Sequence, residues 1–297
     1  VGRTRIKESF FDRIFITLVY LFLIAILIVI LFPLLHIVSA SFSSPAAVTS
    51  GEVWLWPVDF TWVGYKAVFQ NSDIWIGFGN SLFYTVFGTL LNVSFTVMLA
   101  YPLARRTFYG RNIIMLILVF TMFFDGGMIP NYLLVKSLGI LDTRWAMILP
   151  GALAVFQVII ARTFFQSLPD ELAEAAEIDG CSDIKFFMQV VLPLSKPILA
   201  VLFLMYAVGH WNAYFNALIY LKDSSMFPLQ IFLRNLLILN TENSDMYRDV
   251  NNLMLQQGLK DLLKYSLIVV SSVPVLIIYP FVQKHFVKGV MIGSLKG

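Results

Sequence analysis

The sequence has 297 residues, of which 59% are apolar and only 13% charged, with a formal net charge of +3. That balance excludes an ordinary soluble domain, and so small a positive excess gives no footing for nucleic-acid binding. The single cysteine excludes an internal disulfide and argues against a thiolate metal site.

Apolar runs of about 20 residues can cross a hydrocarbon core roughly 30 Å thick. Backbone groups in lipid must be satisfied within the segment, so such runs predict helices. A basic lead-in from Arg3 to Arg13, carrying Phe10 and Phe11, precedes the first run at 14–39, whose single ionisable residue is His36. That run is too long for a signal-peptide core and reads as a retained span. The loop that follows carries Trp54, Trp56 and Trp62, with Trp75 just beyond. These rings suit anchoring at a membrane interface, or contact with an extracytoplasmic partner.

The second predicted span is 79–104 and the third 112–134, interrupted by Phe124-Asp125-Gly126-Gly127-Met128-Ile129-Pro130. Two glycines and a proline should loosen or break that helix. Asp125 lies roughly 21 Å along a helix from Arg111, either facing a pore or ending a helix at the interface. The fourth span is 145–161 and the fifth 194–221, which contains Trp211, Asn212, Tyr214 and Asn216. Their amides and aromatic faces suit pore lining or hydrogen bonding between helices, while His210 reads as structural. A long loop from Lys222 to Lys264 leads to the sixth span at 265–283.

Both termini are expected in the cytoplasm. That arrangement puts Arg3, Arg5, Lys7, Arg13, Arg105, Arg106, Arg111, Arg162, Lys185, Lys196, Lys284, Lys288 and Lys296 inside, 13 of the 21 Lys and Arg residues. Five of the other eight lie in the long loop, which weighs little in the positive-inside count. The short outer loops then hold just Lys66, Lys136 and Arg144.

The polar stretch 167–193 falls on the inner side. Ser167 is expected to cap a short helix, with Asp170 in capping-box register and Asp170 and Glu171 in its first turn. Gly180 is placed to stop it in the left-handed conformation. Leu172, Ala175 and Ala176 share one small apolar face, while Glu174, Glu177 and Asp179 can meet basic groups at its rim. A solvated acidic helix is the plain alternative.

The residues Glu174-Ala175-Ala176, three residues, Gly180, nine residues, Val190, one residue, Leu192-Pro193 resemble the cytoplasmic signature of ABC-importer permeases. Val190 stands where isoleucine is commoner, and Cys181 where alanine is. The Gly126-Gly127-Met128-Ile129-Pro130 element and the Trp211-Asn212 pair resemble carbohydrate permeases of the maltose type, although Ala213 replaces an acidic residue frequent there. The stretch around Gly126-Gly127 and the run Leu168-Pro169-Asp170-Glu171-Leu172 resemble permeases for larger oligosaccharides, including uronate-containing ones such as alginate.

The resemblance implies an all-α, six-span type I importer permease, a single membrane domain in the bacterial cytoplasmic (inner) membrane. It implies coupling to an ATPase through Leu172, Glu174, Ala175, Ala176, Asp179, Gly180, Leu192 and Pro193. Trp211, Asn212, Tyr214 and Asn216 are then candidates for the translocation path, and Asp125 joins them from its place in the third span, an acidic residue there being no general feature of the family. The Phe227-Pro228-Leu229-Gln230 segment corresponds to a loop that reaches towards the substrate-binding protein. The implied partners are a homologous permease, two ATP-binding subunits, an extracytoplasmic sugar-binding protein and membrane lipid. ATP and magnesium would be held by those ATPase subunits and no cofactor by this chain.

No Walker-type phosphate loop, His-Glu-x-x-His, Cys-x-x-Cys or Gly-x-Ser-x-Gly motif occurs, and His36, His210 and His285 are widely separated. No covalent chemistry is expected. An ion-gradient-driven secondary transporter is the alternative, but it would carry more intramembrane carboxylates and an internal repeat. An intramembrane enzyme would need paired His and Asp within the spans.

Overall fold

Apolar runs bounded by proline and glycine become helices of very unequal length. A computed structural model describes residues 9–238 and 250–294, with side chains at 9–237 and 258–280. Arg3, Arg5, Lys7, Arg248 and Lys296 lie outside the described residues, and so do the side chains of Gln283, Lys284, His285 and Lys288. Among the described residues regular structure is entirely helical.

Three helices are long and apolar enough to cross a membrane by themselves: Phe10–Ser41, Ser72–Ala104 and the stretch Gly258–Pro280. Two bent pairs raise the number to five if each pair counts as one span. The chain divides into two compact units, one built from Val1–Gln70 with Leu236–Val270, the other from Asn71–Asn235 with Ser271–Gly297.

In the first unit, α1 (Phe10–Ser41) exposes apolar side chains along nearly its whole length and buries just Ser39, Ala40 and Ser41 at its end. Two short helices follow, α2 (Pro45–Thr49) and α3 (Val63–Gln70). A small core of Ala40, Ala47 and Val53 forms there, with Tyr65 and Ser41 sharing a 2.8 Å hydrogen bond. His36 makes a 3.1 Å hydrogen bond with the Trp54 carbonyl, which gives it a structural partner. Trp54, Trp56 and Trp62 stay exposed. Gly64 allows close approach, since a Cβ there would overlap the Ser266 hydroxyl.

The second unit is organised on α4 (Ser72–Ala104). α5 (Arg111–Phe123) and α6 (Met128–Ser137) are bent by 115° at the predicted glycine break. The expected single span at 145–161 is not one helix. It separates into α7 (Trp145–Ile148) and α8 (Val155–Gln166) around Pro150-Gly151. Proline removes a backbone donor and disfavours helix at the residue before it, which explains the interruption. Beyond α8 lie α9 (Glu171–Ile178), α10 (Asp183–Phe186), a π-helical turn at 187–191 and α11 (Leu192–Leu194). α12 (Lys196–Trp211) leaves α11 at a 79° bend. α13 (Phe215–Tyr220) completes the expected fifth span after a break at Asn212. α14 (Leu229–Ile238) and the long α15 (Val250–Ser294), with prolines at 274 and 280, end the described chain.

α4 packs chiefly on α12 and α8. Its buried face carries Ser81, Thr85, Gly88, Thr89, Asn92, Thr96 and Ala100, small or polar residues at helical spacing. Small side chains let helix backbones approach closely where lipid supplies no hydrophobic drive. Gly88 makes the approach possible: a Cβ there would stand 2.5 Å from His210 Nε2. Thr96 and Tyr206 share a 2.6 Å hydrogen bond across the seam, and Asn92 Nδ2 donates to the Gly151 carbonyl at 2.9 Å.

Candidate functional site

The segment 167–195 is a chain of short helices whose joints are each hydrogen-bonded. The expected cap by Ser167 is not made. Its hydroxyl donates to Phe164 O at 2.7 Å, so it closes α8 instead of opening α9. Pro169 separates the two helices, and Asp170 becomes the first boundary residue of α9 without a side-chain cap. Its carboxylate instead lies 3.8 Å from Arg106 Nε, joining the turn after α4 to the start of α9. Both side chains are well exposed, so this pair steers geometry more than it stabilises.

The other end of α9 follows the sequence expectation. Gly180 has φ +69°, its N–H donates to Glu177 O at 3.0 Å, and Cys181 N–H donates to Ala176 O at 2.9 Å. This is a Schellman closure, with the usual apolar contact across it. Ala176 and Cys181 both pack against the core that contains Phe165, Phe186 and Val191.

The expected apolar face is divided. Ala176 turns inward with Ala173, while Leu172 and Ala175 remain exposed. Glu174, Glu177, Asp179 and Gly180 are exposed as well. Two residues that sequence reasoning passed over stand out furthest, Ile178 at 87% exposure and Ile184 at 78%. They bracket the Gly180 turn at the tip of the segment. Their signal in the sequence was an isoleucine at the very end of an acidic helix, where solvation alone would favour a polar residue.

From this tip the chain runs back into the protein. Ser182 caps α10, and Phe186 and Val191 are buried. Tyr101 at the end of α4 packs on Phe187, the rings tilted by 37° with centroids 4.7 Å apart. Leu192 packs on the same core and Pro193 stays exposed. Ser195 is fully buried at the 79° joint to α12. Phe186, Phe187 and Val191 thus lie in one core with Ile198 and Leu202 of α12.

The residues expected along a translocation path are not brought together as one cluster. Trp211 is buried and its Nε1–H donates to Ser271 O at 2.9 Å, so its ring is part of the helix contact. Asn212 is exposed and Nδ2 donates to Val208 O within its own helix at 3.0 Å. Tyr214 is exposed and Asn216 half-buried. Asp125 is exposed at the 115° break, 3.5 Å from Asn131 Nδ2.

A second constellation lies at the opposite end of α4 and was not anticipated. Asp142 adopts φ +59° and its Oδ1 accepts from the backbone N–H groups of Lys222 at 2.7 Å and Asp223 at 3.0 Å. Those two bonds hold its carboxyl below the ordinary carboxylate range, the Lys222 amide contributing most. Asn80 Nδ2 donates to Ser225 O at 2.7 Å, and Tyr84 Oη to Met226 O at 2.8 Å. Ser81 Oγ accepts from Leu229 N–H at 2.9 Å. The loop 221–229 is thus seated on α4 and on the turn before α7. Its Phe227-Pro228 segment is the one that resembles the loop towards a binding protein.

Residues 90–292 match the family described as binding-protein-dependent transport system inner membrane component. The chain belongs to this family. As a member it is a membrane-spanning permease component of an importer assembled from several subunits. Protein LplC of Bacillus subtilis (strain 168) is 45% identical over 288 residues, 96% of each chain. The polygalacturonan/rhamnogalacturonan transport system permease protein YtcP of the same organism is 42% identical over 287 residues, covering 96% of this chain and 99% of its own. A crystal structure of a bacterial ABC transporter involved in the import of the acidic polysaccharide alginate contains a chain with TM-score 0.86 and 35% identity. The match covers 95% of this permease and 100% of that chain. Among the described residues of the permease, no group of three or more His, Cys, Asp or Glu could hold a metal ion.

Proposed function

We propose that this permease imports acidic oligosaccharides by alternating access, driven through α9 by separate ATP-hydrolysing subunits. It would work as a heterodimer with a homologous permease, above two such subunits, and receive sugar from an extracytoplasmic binding protein. The carbohydrate reading draws on relatives that carry polygalacturonan/rhamnogalacturonan and alginate. The observation that carries the coupling reading is the tip of 171–184. It exposes Ile178 and Ile184 beside Glu174, Glu177 and Asp179, and its inner face shares a core with α12. A protruding apolar pair with an acidic rim suits a cleft with basic edges on another subunit.

Six crossings with both termini in the cytoplasm are part of this reading. An ion pair at one end of α4 and hydrogen bonds at the other support the count. Arg106 beside Asp170 sets the turns after α4 and before α9 on one side. Asn80 and Asp142, both holding the loop 221–229, set three segments on the other. With those contacts on opposite faces of the membrane, crossings in α5–α6, between 145 and 166, and in α12–α13 are the reading they support.

Replacing Glu174 and Gly180 together by alanine tests the coupling role. The expected result is loss of sugar uptake and of sugar-stimulated ATP hydrolysis, with the permease still inserted and paired. Survival of both activities would remove α9 from the mechanism.

A further inference from the structure

A groove of about 490 Å³ runs between α4 and α7. Phe83, Phe87, Leu90 and Phe95 form one wall, and Trp145 and Ile148 the other. Phe87, Leu90 and Trp145 are each more than half exposed, so the described residues leave it open. At one end stands Arg144, its guanidinium 4.5 Å from the Phe83 ring centroid and donating to Asn80 Oδ1 at 3.3 Å. The one ion pair among the described residues is Arg106 with Asp170, so Arg144 meets no carboxylate there. The nearest acid in sequence, Asp142, is engaged by the amides of Lys222 and Asp223.

Length and chemistry together select the occupant. From Phe83 to Phe95 the helix rises about 18 Å, close to the roughly 15 Å of one leaflet's hydrocarbon. The cation sits at the end where Trp145, an interfacial residue type, begins α7. An apolar trough one leaflet deep with a guanidinium at its head matches one acyl chain below a phosphate. A saccharide in transit would need hydrogen-bond partners along the trough. The hydroxyl available there, Ser94, already donates to Leu90 O at 2.7 Å.

We propose that this groove holds an acyl chain of an anionic phospholipid, with its phosphate on Arg144. The site goes beyond the import function and makes lipid a ligand of this subunit at a defined place. Its charge is unopposed within the described chain, and guanidinium binds phosphate in a bidentate fork.

The test is native mass spectrometry of the complete transporter released in mild detergent, titrated with phosphatidylglycerol or phosphatidylcholine. Wild type should retain phosphatidylglycerol in preference. Arg144→Gln should lower that retention roughly five- to tenfold, the scale of one basic contact to an anionic lipid. Arg144→Lys, which keeps the charge without the fork, should restore part of it. Ser94→Phe, which fills the trough and leaves the cation, should reduce retention of both lipids. Equal retention of the two lipids by wild type, or no change in Arg144→Gln, would overturn the proposal. So would a photo-crosslinker at Phe87 that captures the partner permease instead of lipid.

Discussion

Asp142 combines a left-handed backbone with a carboxylate that closes a loop 80 residues further on. Aspartate tolerates φ +59° better than most residues because its short side chain can bond locally. Its folded carboxyl titrates below the unfolded one, since ionised oxygen is the better acceptor for the Lys222 and Asp223 amides. The contribution is therefore fully present above the ordinary carboxylate pKa of about 4. It is lost as pH falls through the lowered native value. Asp142→Ala removes the acceptor and should release loop 221–229, read as faster protease cleavage there at neutral pH. Asp142→Asn keeps one acceptor oxygen and the backbone tolerance. It should show much weaker release at neutral pH and lack the loosening that wild type shows on acidification. Equal cleavage of wild type and Asp142→Ala across pH would remove this residue from the seat.

The joints between elements hold most of what the sequence concealed. Long helices were legible because an apolar run beyond about 20 residues has few other solutions. The break after Phe123 was legible from Gly126, Gly127 and Pro130, and the stop at Gly180 from its place after an acidic helix. The split at Pro150-Gly151 was hidden because the residues around it are as apolar as a span. The inward turn of Ala176 and the outward one of Ile178 depend on packing against Phe186, which no local pattern specifies. The seat at Asp142 escaped for a similar reason, its partners being distant in the chain. The α4–α12 seam gives a sharp test of such packing. A Cβ at residue 88 would meet Nε2, Cε1 and Cδ2 of His210 within 3 Å. Gly88→Ala should lower thermal stability by about 1–3 kcal/mol, the usual cost of overfilling a core. His210→Ala opens that space, so the double variant should be more stable than the sum of the two single losses. Additive losses, measured as detergent-solubilised melting shifts, would mean that the ring does not fill this gap.

At the scale of the whole molecule the deciding quantity is the number of crossings. α8 alone, at 12 residues, rises about 18 Å and is too short for a roughly 30 Å core. To cross, the segment 145–166 would need the α7 turn and the irregular link as well, and buried backbone can be irregular where protein surrounds it. Ala146, Met147, Ile148, Val158 and Ala161 are all buried, so this stretch is lined by its own chain. Single cysteines introduced after Cys181→Ala locate its two ends. Thr107, Ser137, Glu177 and Ser224 are exposed and lie in the four connecting segments concerned. A membrane-impermeant maleimide on intact cells should label Ser137→Cys and Ser224→Cys. Thr107→Cys and Glu177→Cys should react only after permeabilisation. If Ser137→Cys and Glu177→Cys behaved alike, 145–166 would not cross and the count would fall to five. If all four were reversed, α9 would face away from the cytoplasm, where it could meet no ATPase, and the coupling reading would fall with the orientation.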